Sequence, residues 1–400
     1  MSALYPFRAL RPAPESAARV ASVPYDVVST DEARALVAGN PLSFLRVTRA
    51  EVDLPSETNP YDDRVYAQAV RNFEDLKRAA PLVIEDEPSL YFYRLRMGAH
   101  EQTGLAGCYS LDEYETNRIK KHERTRKDKE DDRTRHLIDL RAQTGIVFLT
   151  YRSSPSVDAI ASRVTAGHPL FDFTTPDGIA HTVWRVIGSD VQALVEAFSF
   201  LPALYIADGH HRAASAARAR GVVKSRDAEQ FIAVAFPDTQ VQILAYHRVV
   251  KDLSGHTPES FLAALRSRMT VTEGGPSPSH PGEVAVFLAG AWHTLTLPTA
   301  PAGTPRADAL DVARLEREVL GPILNIGDIR TDKRIDFVGG ARGTGELERL
   351  VRTGNAAAAF SMHPVTIDDL MAIADAGGIM PPKSTWFEPK LRDGLLVHLI

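Results

Sequence analysis

The stretch of sequence that decides the fold runs Leu204-Tyr-Ile-Ala-Asp-Gly-His-His-Arg-Ala-Ala-Ser-Ala-Ala-Arg-Ala-Arg220. It opens with an apolar run, Leu204 to Ala207, which has the length and type of a buried strand. It closes with an Ala- and Arg-rich segment, Ala213 to Arg220, whose helix propensity is high. Between them, Gly209 lets the chain turn tightly and lets its backbone approach a ligand. The stretch therefore predicts a strand, a tight turn and a helix in direct succession.

The turn has the features of an anion site, with phosphate as the expected ligand. The first turn of a helix presents unpaired N–H groups and a positive dipole end. Arg212 would add a planar donor fork, and His210 and His211 would add donors or one general acid or base. A purely structural interpretation stays open, in which Asp208 caps the helix and the histidines lie on the surface. Zinc is a weaker alternative, because adjacent histidines point in different directions and lack the usual ligand spacing.

Composition places the chain among ordinary soluble proteins. Its 400 residues suffice for two or three lobes, and 44% of them are hydrophobic against 24% charged. The net charge of -5 gives no reason to expect nucleic acid. Cys108 is the only cysteine, which excludes an intramolecular disulfide and fits a reducing compartment. Because we find no signal peptide in Met1 to Val20 and no bilayer-spanning apolar run, we predict a cytoplasmic protein without membrane or nucleic-acid partners.

Strand and helix patterns around the central stretch predict a mixed sheet in an α/β (α+β mixed) fold. We divide the chain into an N-terminal α/β part over 1–112, a central lobe over 113–273 with the Asp-Gly-His-His-Arg loop, and a C-terminal α/β part over 274–400. The three parts are expected to form one compact, multi-lobed unit. Further strands are predicted at three apolar runs: Val20–Val28, which is bent at Pro24, Leu42–Val47, which carries Arg46, and Gly394–Ile400.

The most charged stretch, Glu115 to His136, holds nine Lys or Arg and six Asp or Glu. One interpretation is a solvated helix with ion pairs along its surface. The other is a basic patch that binds a polyphosphate through Lys121 and Arg124 and positions a base, with His122 and Glu123 as candidates. The residues alone leave both interpretations open. Because so polar a run buries little, we also state the hypothesis that the stretch is a mobile lid.

Two later motifs also combine glycine or proline with basic residues. Gly339-Gly340 ends the predicted strand Ile335–Val338 and precedes a helix from Thr344, which fits either a second anion-binding turn or a plain connection. A loop that holds Lys383, Ser384, Thr385, Trp386 and Lys390 follows two prolines and lacks the upstream glycines of a P-loop, so it is not a Walker motif. An irregular loop of this kind more often lines a site than connects core elements.

Eight motifs are spread along the chain: Tyr5-Pro-Phe-Arg-Ala-Leu-Arg-Pro12, Val23-Pro-Tyr-Asp26, Asn40-Pro-Leu-Ser-Phe-Leu-Arg46, Lys121-His-Glu-Arg-Thr125, Lys129-Glu-Asp-Asp-Arg133, Ala207-Asp-Gly-His-His-Arg212, Arg334-Ile-Asp-Phe-Val-Gly-Gly340 and Met380-Pro-Pro-Lys-Ser-Thr-Trp-Phe387. Together they resemble the bacterial family catalogued as domain of unknown function 1015. The box Asp208–Arg212 is also similar to the phosphate-binding box of the ParB/sulfiredoxin superfamily. The resemblance implies a ParB/sulfiredoxin-like lobe with large N- and C-terminal additions.

Within that superfamily, sulfiredoxin chemistry is disfavoured because Cys108 lies far from the box in sequence. DNA partitioning is disfavoured because no helix-turn-helix pattern follows the box. The free-serine kinases remain, and the resemblance implies an Mg²⁺-dependent kinase that makes O-phosphoserine from free L-serine and pyrophosphate or a nucleotide. The alternative is a nucleotide-binding or nucleotide-hydrolysing regulatory protein of the ParB type, without an amino-acid acceptor. A nucleic-acid adaptor that uses Lys120 to Arg135 is disfavoured by the net negative charge.

Phosphoryl transfer needs positive charge and N–H groups around the phosphates, a metal ion to bridge them and a base near the acceptor hydroxyl. The base, or an oxygen ligand of the metal, is assigned to Glu123, His122 or Asp208 without a choice among them. Arg46 and Trp386 are assigned to the amino-acid substrate. The predicted phosphate-binding residues are Gly209, His210, His211, Arg212, Lys121, Arg124, Lys383, Ser384 and Thr385.

Overall fold

The computed structural model describes residues 3–80 and 82–400. Backbone contacts divide the chain into two units, Met1–Val241 with Pro389–Ile400, and Gln242–Glu388. The first unit is therefore discontinuous in sequence, because the chain leaves it after Val241 and returns at Pro389. Among the described residues, no helix combines the length and the apolar character that crossing a membrane requires.

The strands are, in chain order, β1 (Leu4–Tyr5), β2 (Leu10–Arg11), β3 (Val83–Ile84), β4 (Leu90–Met97), β5 (His100–Ser110), β6 (Ile119–Lys120), β7 (Ala142–Gln143), β8 (Val147–Tyr151), β9 (Phe171–Thr174), β10 (Ala180–Val186), β11 (Leu204–Asp208), β12 (Gln230–Pro237), β13 (Gln242–Leu244), β14 (Tyr246–Val250), β15 (Thr270–Glu273), β16 (Glu283–Leu288), β17 (Ala291–Thr296), β18 (Ile335–Gly339), β19 (Ala358–Met362), β20 (Trp386–Glu388) and β21 (His398–Leu399).

The helices are α1 (Ala17–Val20), α2 (Thr30–Val37), α3 (Leu45–Thr48), α4 (Asp63–Ala79), α5 (Leu111–Glu115), α6 (Lys127–Leu140), α7 (Pro155–Thr165), α8 (Ser189–Ser199), α9 (His210–Val223), α10 (Pro258–Arg266), α11 (Arg306–Ala309), α12 (Asp311–Leu315), α13 (Gly343–Arg352) and α14 (Ile367–Asp375). Short 3₁₀ turns cover Pro14–Ser16, Ala50–Asp53, Asp227–Glu229 and Gly340–Arg342. A turn of π-helix, Glu316–Leu320, continues α12.

The first unit is built on a mixed sheet in the order β6-β11-β8-β12-β5-β4-β10-β9, with β1 beside β5. Strand β12 runs parallel to β8 and β11 parallel to β6, whereas the other neighbouring strands are antiparallel. Every residue of β8 is buried. A strand covered on both faces has no solvent side for polar residues, which explains its nearly continuous apolar sequence. The mixed α/β class and the mixed sheet predicted from the sequence are confirmed.

Helix α9 follows β11 directly and packs against α6, which also contacts α4. The charged stretch is thus helical from Lys127 onward, with exposed ion pairs such as Lys127 to Asp131 on one side. Its other side is packed: Tyr66 donates a hydrogen bond of 2.8 Å to the buried Asp132. Residues 121–126 lie outside helix and strand, so the lid hypothesis now concerns these residues alone. The buried members of α6 are Asp132, Thr134, His136, Leu137 and Leu140.

The second unit contains an antiparallel sheet in the order β15-β17-β16-β19-β14-β18 and a separate strand pair, β13 with β20. Helix α13 packs on β19 and β16. Its buried Leu347 joins Phe287 and Ala359 in a hydrophobic cluster between helix and sheet. The pair β13–β20 places Trp386 opposite Leu244, which fixes one end of the loop that follows the two prolines.

The predicted strand over Leu42–Val47 is wrong, because Leu45–Thr48 form the short helix α3. A brief apolar run fits a buried helical turn as well as a buried strand, so the pattern could not decide. The predicted strand over Val20–Val28 is also wrong: α1 ends at Val20, and Ser22 makes only an isolated bridge. Pro24 lacks the N–H that a paired strand would need at that position.

The closing strand predicted over Gly394–Ile400 is shorter than expected. Only His398–Leu399 form a strand, antiparallel to Ala142–Gln143, and Val397 adds an isolated bridge to Leu10. A partner of two residues limits the length of the pairing. The chain end is nevertheless built into the first unit rather than left on its surface, since Leu395, Leu396 and Val397 are buried.

The sequence-based boundaries differ from the two units. The boundary between residues 112 and 113 falls within the first unit, because β5 before it pairs with β12 after it. The boundary between residues 273 and 274 falls within the second unit, because β15 pairs with β17 across it. Sheet pairing between distant segments, rather than loop composition, determines which segments belong together.

Candidate functional site

The predicted strand, turn and helix are present in the first unit. Strand β11 ends at Asp208, and α9 begins at His210. Gly209 caps the helix in the left-handed region, with φ of 97°, and offers no side chain to the N–H groups of the first turn. These donors therefore point out of the helix end without a side-chain cap, as an anion site requires. The structural alternative, with Asp208 as the helix cap, is not what the structure shows.

Asp208 instead forms an ion pair with a residue far along the chain. Lys390 Nζ donates to Asp208 Oδ2 at 2.9 Å, and Arg212 Nη2 lies 4.0 Å from the same oxygen. Burial alone would raise the pKa of Asp208, but Lys390 and Arg212 outweigh it and hold the pKa of this carboxyl well below its usual range. Asp208 is consequently a fixed negative charge at neutral pH, shared between two cations.

Arg212 is directed into the protein. Its Nη2 donates to both oxygens of Asp26, at 3.0 and 3.2 Å, and its Nη1 donates to the carbonyl of Ile146 at 2.6 Å. Only 7% of its side chain is exposed, against 37% for Asp26. Burial would lower the pKa of Arg212, and the carboxylates of Asp26 and Asp208 raise it above its ordinary value. The guanidinium thus holds two carboxylates in place, which differs from the direct phosphate contact expected from the sequence.

Asp393 adds a buried carboxyl near Arg212. Its Oδ1 accepts a long hydrogen bond of 3.4 Å from the amide of Ile146. Its Oδ2 is buried and has no hydrogen-bond partner within the described residues. Burial raises the pKa of Asp393 to about 7, against the opposing charge of Arg212. The protonation of Asp393 therefore changes near neutral pH.

His122, Glu123 and His210 lie together beside the start of α9. The two imidazole rings stand edge to face, with centroids 4.4 Å apart. His210 Nδ1 is 3.9 Å from Glu123 Oε2, and the amide of His122 donates to His210 Nε2 at 3.4 Å. Burial lowers the pKa of His122 to about 4, and burial together with the nearby His122 ring holds the pKa of His210 well below its usual range. Both rings are neutral at pH 7, while Glu123 keeps 39% of its side chain exposed.

The remaining cationic candidates of this segment have different surroundings. Lys121 Nζ donates to the carbonyl of Tyr114 at 2.8 Å and lies over the Tyr114 ring. Burial lowers the pKa of Lys121. Arg124 is exposed. His211 Nε2 accepts from the amide of Arg126 at 3.0 Å, so the proton of a neutral His211 ring is on Nδ1.

The other predicted residues have local partners. Arg46 binds Asp53 and donates to the carbonyls of Val37 and Asn40. In the second unit, Ser384 Oγ donates to the Pro381 carbonyl at 2.6 Å, and Lys383 Nζ lies 5.5 Å from the centroid of the Tyr246 ring. Trp386 Nε1 donates to Glu388 at 2.9 Å, and the Trp386 ring meets Tyr246 edge to face. The assignment of Thr385 to phosphate binding stays a prediction.

The sequence analysis assigned several of the residues that lie together in this site and left others unassigned. The structure brings Glu123, His122 and Asp208 together with the residues from Gly209 to Arg212 in the first unit. Asp26, Lys390 and Asp393 join them without having been assigned. Asp26 and Lys390 stand in or beside quoted motifs, which was the available signal. Their partners lie about half the chain away in sequence, so no local spacing of residues could predict these pairs.

The chain matches a known protein family over most of its length. The family model described as protein of unknown function (DUF1015) matches residues 4–313. The chain belongs to this family. The resemblance inferred from the eight motifs of this DUF1015 protein is thereby confirmed. No curated protein sequence matches the chain.

Several solved structures are similar to this DUF1015 protein at low identity. SbnI from Staphylococcus aureus, truncated at its C-terminus, shares 11% identity at a TM-score of 0.41, covering 74% of this chain and 87% of that one. A free serine kinase in complex with AMP shares 11% at a TM-score of 0.38, covering 73% and 91%. A conserved hypothetical protein from Pyrococcus furiosus shares 14% at 0.38, covering 74% and 95%. Scores below 0.5 carry no argument about activity.

Proposed function

We propose that this DUF1015 protein is a phosphotransferase that moves a phosphoryl group from pyrophosphate, or a nucleotide, to the hydroxyl of free L-serine. The observation that carries the proposal is the end of α9. There, Gly209 leaves the first-turn N–H groups without a side-chain cap, and the carboxylate of Glu123 lies 3.9 Å from the first residue of the helix, His210. An anion-binding helix end beside a partly exposed carboxylate supplies two of the functions that phosphoryl transfer needs, phosphate binding and a base.

The donor end of the site suits a small, highly charged phosphate compound. Backbone N–H groups at the start of α9 would bind phosphate oxygens, with Gly209 allowing the close approach. The exposed guanidinium of Arg124 and the Nδ1–H of His211 would add donors. Because Arg212 is held by Asp26 and Ile146, we assign it to positioning the cluster rather than to binding the donor. Pyrophosphate has no base to stack, so it needs only such donors and positive charge.

Glu123 is the best candidate for the base among the three proposed from sequence. His122 is 2% exposed, and Asp208 is held in an ion pair by Lys390. Glu123 keeps 39% of its side chain exposed beside the helix end. It would accept the proton of the serine hydroxyl as that oxygen attacks phosphorus. The bond from phosphorus to the bridging oxygen then breaks, and orthophosphate leaves when pyrophosphate is the donor.

The family resemblance implies Mg²⁺, and the side chains around α9 do not fit it well. Mg²⁺ demands an octahedral shell of oxygen ligands. The oxygens of Asp26 and Asp208 are already bound by Arg212 and Lys390, and the remaining cluster offers two imidazoles for one carboxylate. We therefore derive no step through Mg²⁺.

The test is a donor screen on the purified full-length chain. L-Serine is mixed with pyrophosphate, ADP or ATP, with Mg²⁺ and Mn²⁺ in parallel, and O-phosphoserine is followed by mass spectrometry. We expect product with pyrophosphate and its loss in Glu123→Gln, by about 100-fold or more. Asp131→Asn is the matched control, since Asp131 lies in the same charged stretch with exposed partners.

The outcomes separate the proposal from its alternative. Product with ADP or ATP alone would keep the kinase and change the donor. Binding or hydrolysis of a nucleotide without phosphoserine would favour the ParB-type regulatory protein. No product with any donor, or full activity in Glu123→Gln, would overturn the assignment of the reaction or of its base, respectively.

A further inference from the structure

Three side chains of the kind that bind metal ions converge beside α9 from two separate segments. His122 and Glu123 lie in the irregular residues before α6, and His210 is the first residue of α9. One ligand atom from each lies within 4.8 Å of the other two. Within residues 3–80 and 82–400, no other three His, Cys, Asp or Glu side chains meet that spacing. The cluster is therefore specific to this place in the fold.

A buried nitrogen without a partner points to a ligand at this cluster. His122 is 2% exposed, and its Nδ1 has no hydrogen-bond partner within the described residues. The ring also bonds the backbone of Ile206. With Nδ1 unpartnered, that bond is made by Nε2, so a neutral ring carries its proton on Nε2 and its lone pair on Nδ1. Histidines that bind metals typically donate their second ring N–H to a backbone carbonyl in this way.

His210 and Glu123 complete the set. His210 Nδ1 lies 3.9 Å from Glu123 Oε2, so a small closure would bring both to a common ion. Binding through Nδ1 moves the proton of His210 to Nε2 and gives up the contact from the His122 amide. That contact measures 3.4 Å, at the long end for a hydrogen bond, so little is lost.

The donor set selects the class of ion. Two imidazole nitrogens and one carboxylate oxygen suit divalent first-row transition ions, whereas Mg²⁺ prefers oxygen ligands alone. We propose that His122, Glu123 and His210 bind one such ion, with Mn²⁺ or Zn²⁺ as representatives, in preference to Mg²⁺. Three protein ligands leave coordination positions for water or phosphate oxygens. Glu123 would bind the ion through Oε2, the oxygen nearest His210, which leaves Oε1 to accept the serine proton in the proposed reaction. A role of the ion in holding the donor phosphates rests on the proposed function, but the site itself does not.

The experiment measures metal binding with no serine and no phosphate compound present. Tag-free, full-length protein is freed of metal with EDTA and titrated by calorimetry with MnCl₂, ZnCl₂ and MgCl₂. We expect one Mn²⁺ or Zn²⁺ per chain and weaker binding of Mg²⁺. Glu123→Gln and His122→Ala should each weaken the binding by about 10- to 100-fold or more. His280→Gln is the matched control, since exposed His280 pairs with Glu283 at 3.4 Å and does not belong to the three-residue cluster.

Circular dichroism of every variant shows whether it folds. If His122→Ala fails to fold, Glu123→Gln still tests the site, because Glu123 is partly exposed. Mn²⁺ or Zn²⁺ binding that Glu123→Gln leaves unchanged would overturn the site. So would Mg²⁺ binding as tight as Mn²⁺ and Zn²⁺ binding, or no binding of any of the three ions. Metal binding without phosphoserine formation would count against the proposed function alone, so the two failures are distinguishable.

Discussion

Two places in the molecule share one sequence pattern, a strand that ends in glycine before a helix with basic residues, and they use the glycine differently. Gly209 in the first unit has φ of 97° and is followed at once by α9. Gly339 in the second unit has φ of -64°, which any residue adopts. There, glycine is required by space: a Cβ on Gly339 would lie 2.6 Å from the Trp386 ring, and one on Gly340 would lie 2.5 Å from the Ala245 carbonyl oxygen.

The two glycine-rich turns differ in what surrounds them. At Gly209, a left-handed backbone exposes the start of a long helix, and several charged side chains gather around it. At Gly339 and Gly340, an indole ring and a backbone carbonyl fill the place where a ligand would approach. The sequence alone left the turn at Gly339 and Gly340 open to two interpretations, an anion site or a plain connection. The packing around these glycines supports a plain connection.

The largest expected effect concerns the charged cluster beside Gly209. Arg212→Ala would leave Asp26 and Asp208 without their shared cation and should lower the free energy of unfolding by about 3 kcal/mol. That corresponds to a fall in Tm of about 6 to 12 °C. Arg218→Ala on the same helix breaks only exposed pairs with Glu130 and Asp131 and should cost less than about 1 kcal/mol. Equal shifts of the two variants in thermal unfolding would contradict this.

The two glycines themselves can be compared directly. Gly339→Ala should cost about 1 to 3 kcal/mol, because the methyl group overlaps the Trp386 ring. Its affinity for pyrophosphate should stay that of the wild type. Gly209→Ala strains a left-handed residue by about 1 to 2 kcal/mol and should also weaken pyrophosphate binding about tenfold.

Thermal unfolding and calorimetry with pyrophosphate give the two readouts for both glycine variants. Loss of pyrophosphate affinity in Gly339→Ala, with wild-type affinity in Gly209→Ala, would contradict the different roles given to the two glycines.

Thermal unfolding at a series of pH values tests the protonation of the buried Asp393. In the folded protein the pKa of Asp393 is about 7, against about 3.9 in an unfolded chain. Between these values the folded state binds the extra proton, so the contribution of Asp393 to stability falls as pH rises toward 7. Asp393→Asn should therefore raise Tm most at pH 8, with a gain that shrinks as pH is lowered toward 4.

Asp131→Asn is the control for this series, because its cationic partners lower the pKa of Asp131. It should show no such trend between pH 5 and 8. A gain for Asp393→Asn that is constant across pH would mean that the carboxyl does not titrate in this range.

The smallest expected effect is at Ser384, which the sequence assigns to phosphate. Its hydroxyl donates to Pro381 at 2.6 Å, so Ser384→Ala should cost about 1 kcal/mol of stability. We expect the affinity for pyrophosphate, measured by calorimetry, to stay that of the wild type. A tenfold loss of affinity would restore the role predicted from the sequence.

Local patterns predicted much of the fold and the centre of the site. The strand, turn and helix around Gly209 are present as predicted, because each depends on residues within a few positions of one another. The ion pairs of Lys390 with Asp208 and of Arg212 with Asp26 join residues 182 and 186 positions apart. No spacing rule reaches that far. The wrong strand prediction over Leu42–Val47 has the same cause. Packing partners distant in sequence determine the conformation of so short an apolar run.

The return of residues 389–400 to the first unit also sets an order of events during protein synthesis. The ribosome makes Asp208 and then the whole second unit before it makes Lys390, which neutralises Asp208 in the finished protein. Until then Asp208 can have only one of its two cationic partners, Arg212. Assembly of the central cluster must therefore wait for the second unit to be translated, so a stalled or prematurely terminated chain would not complete it.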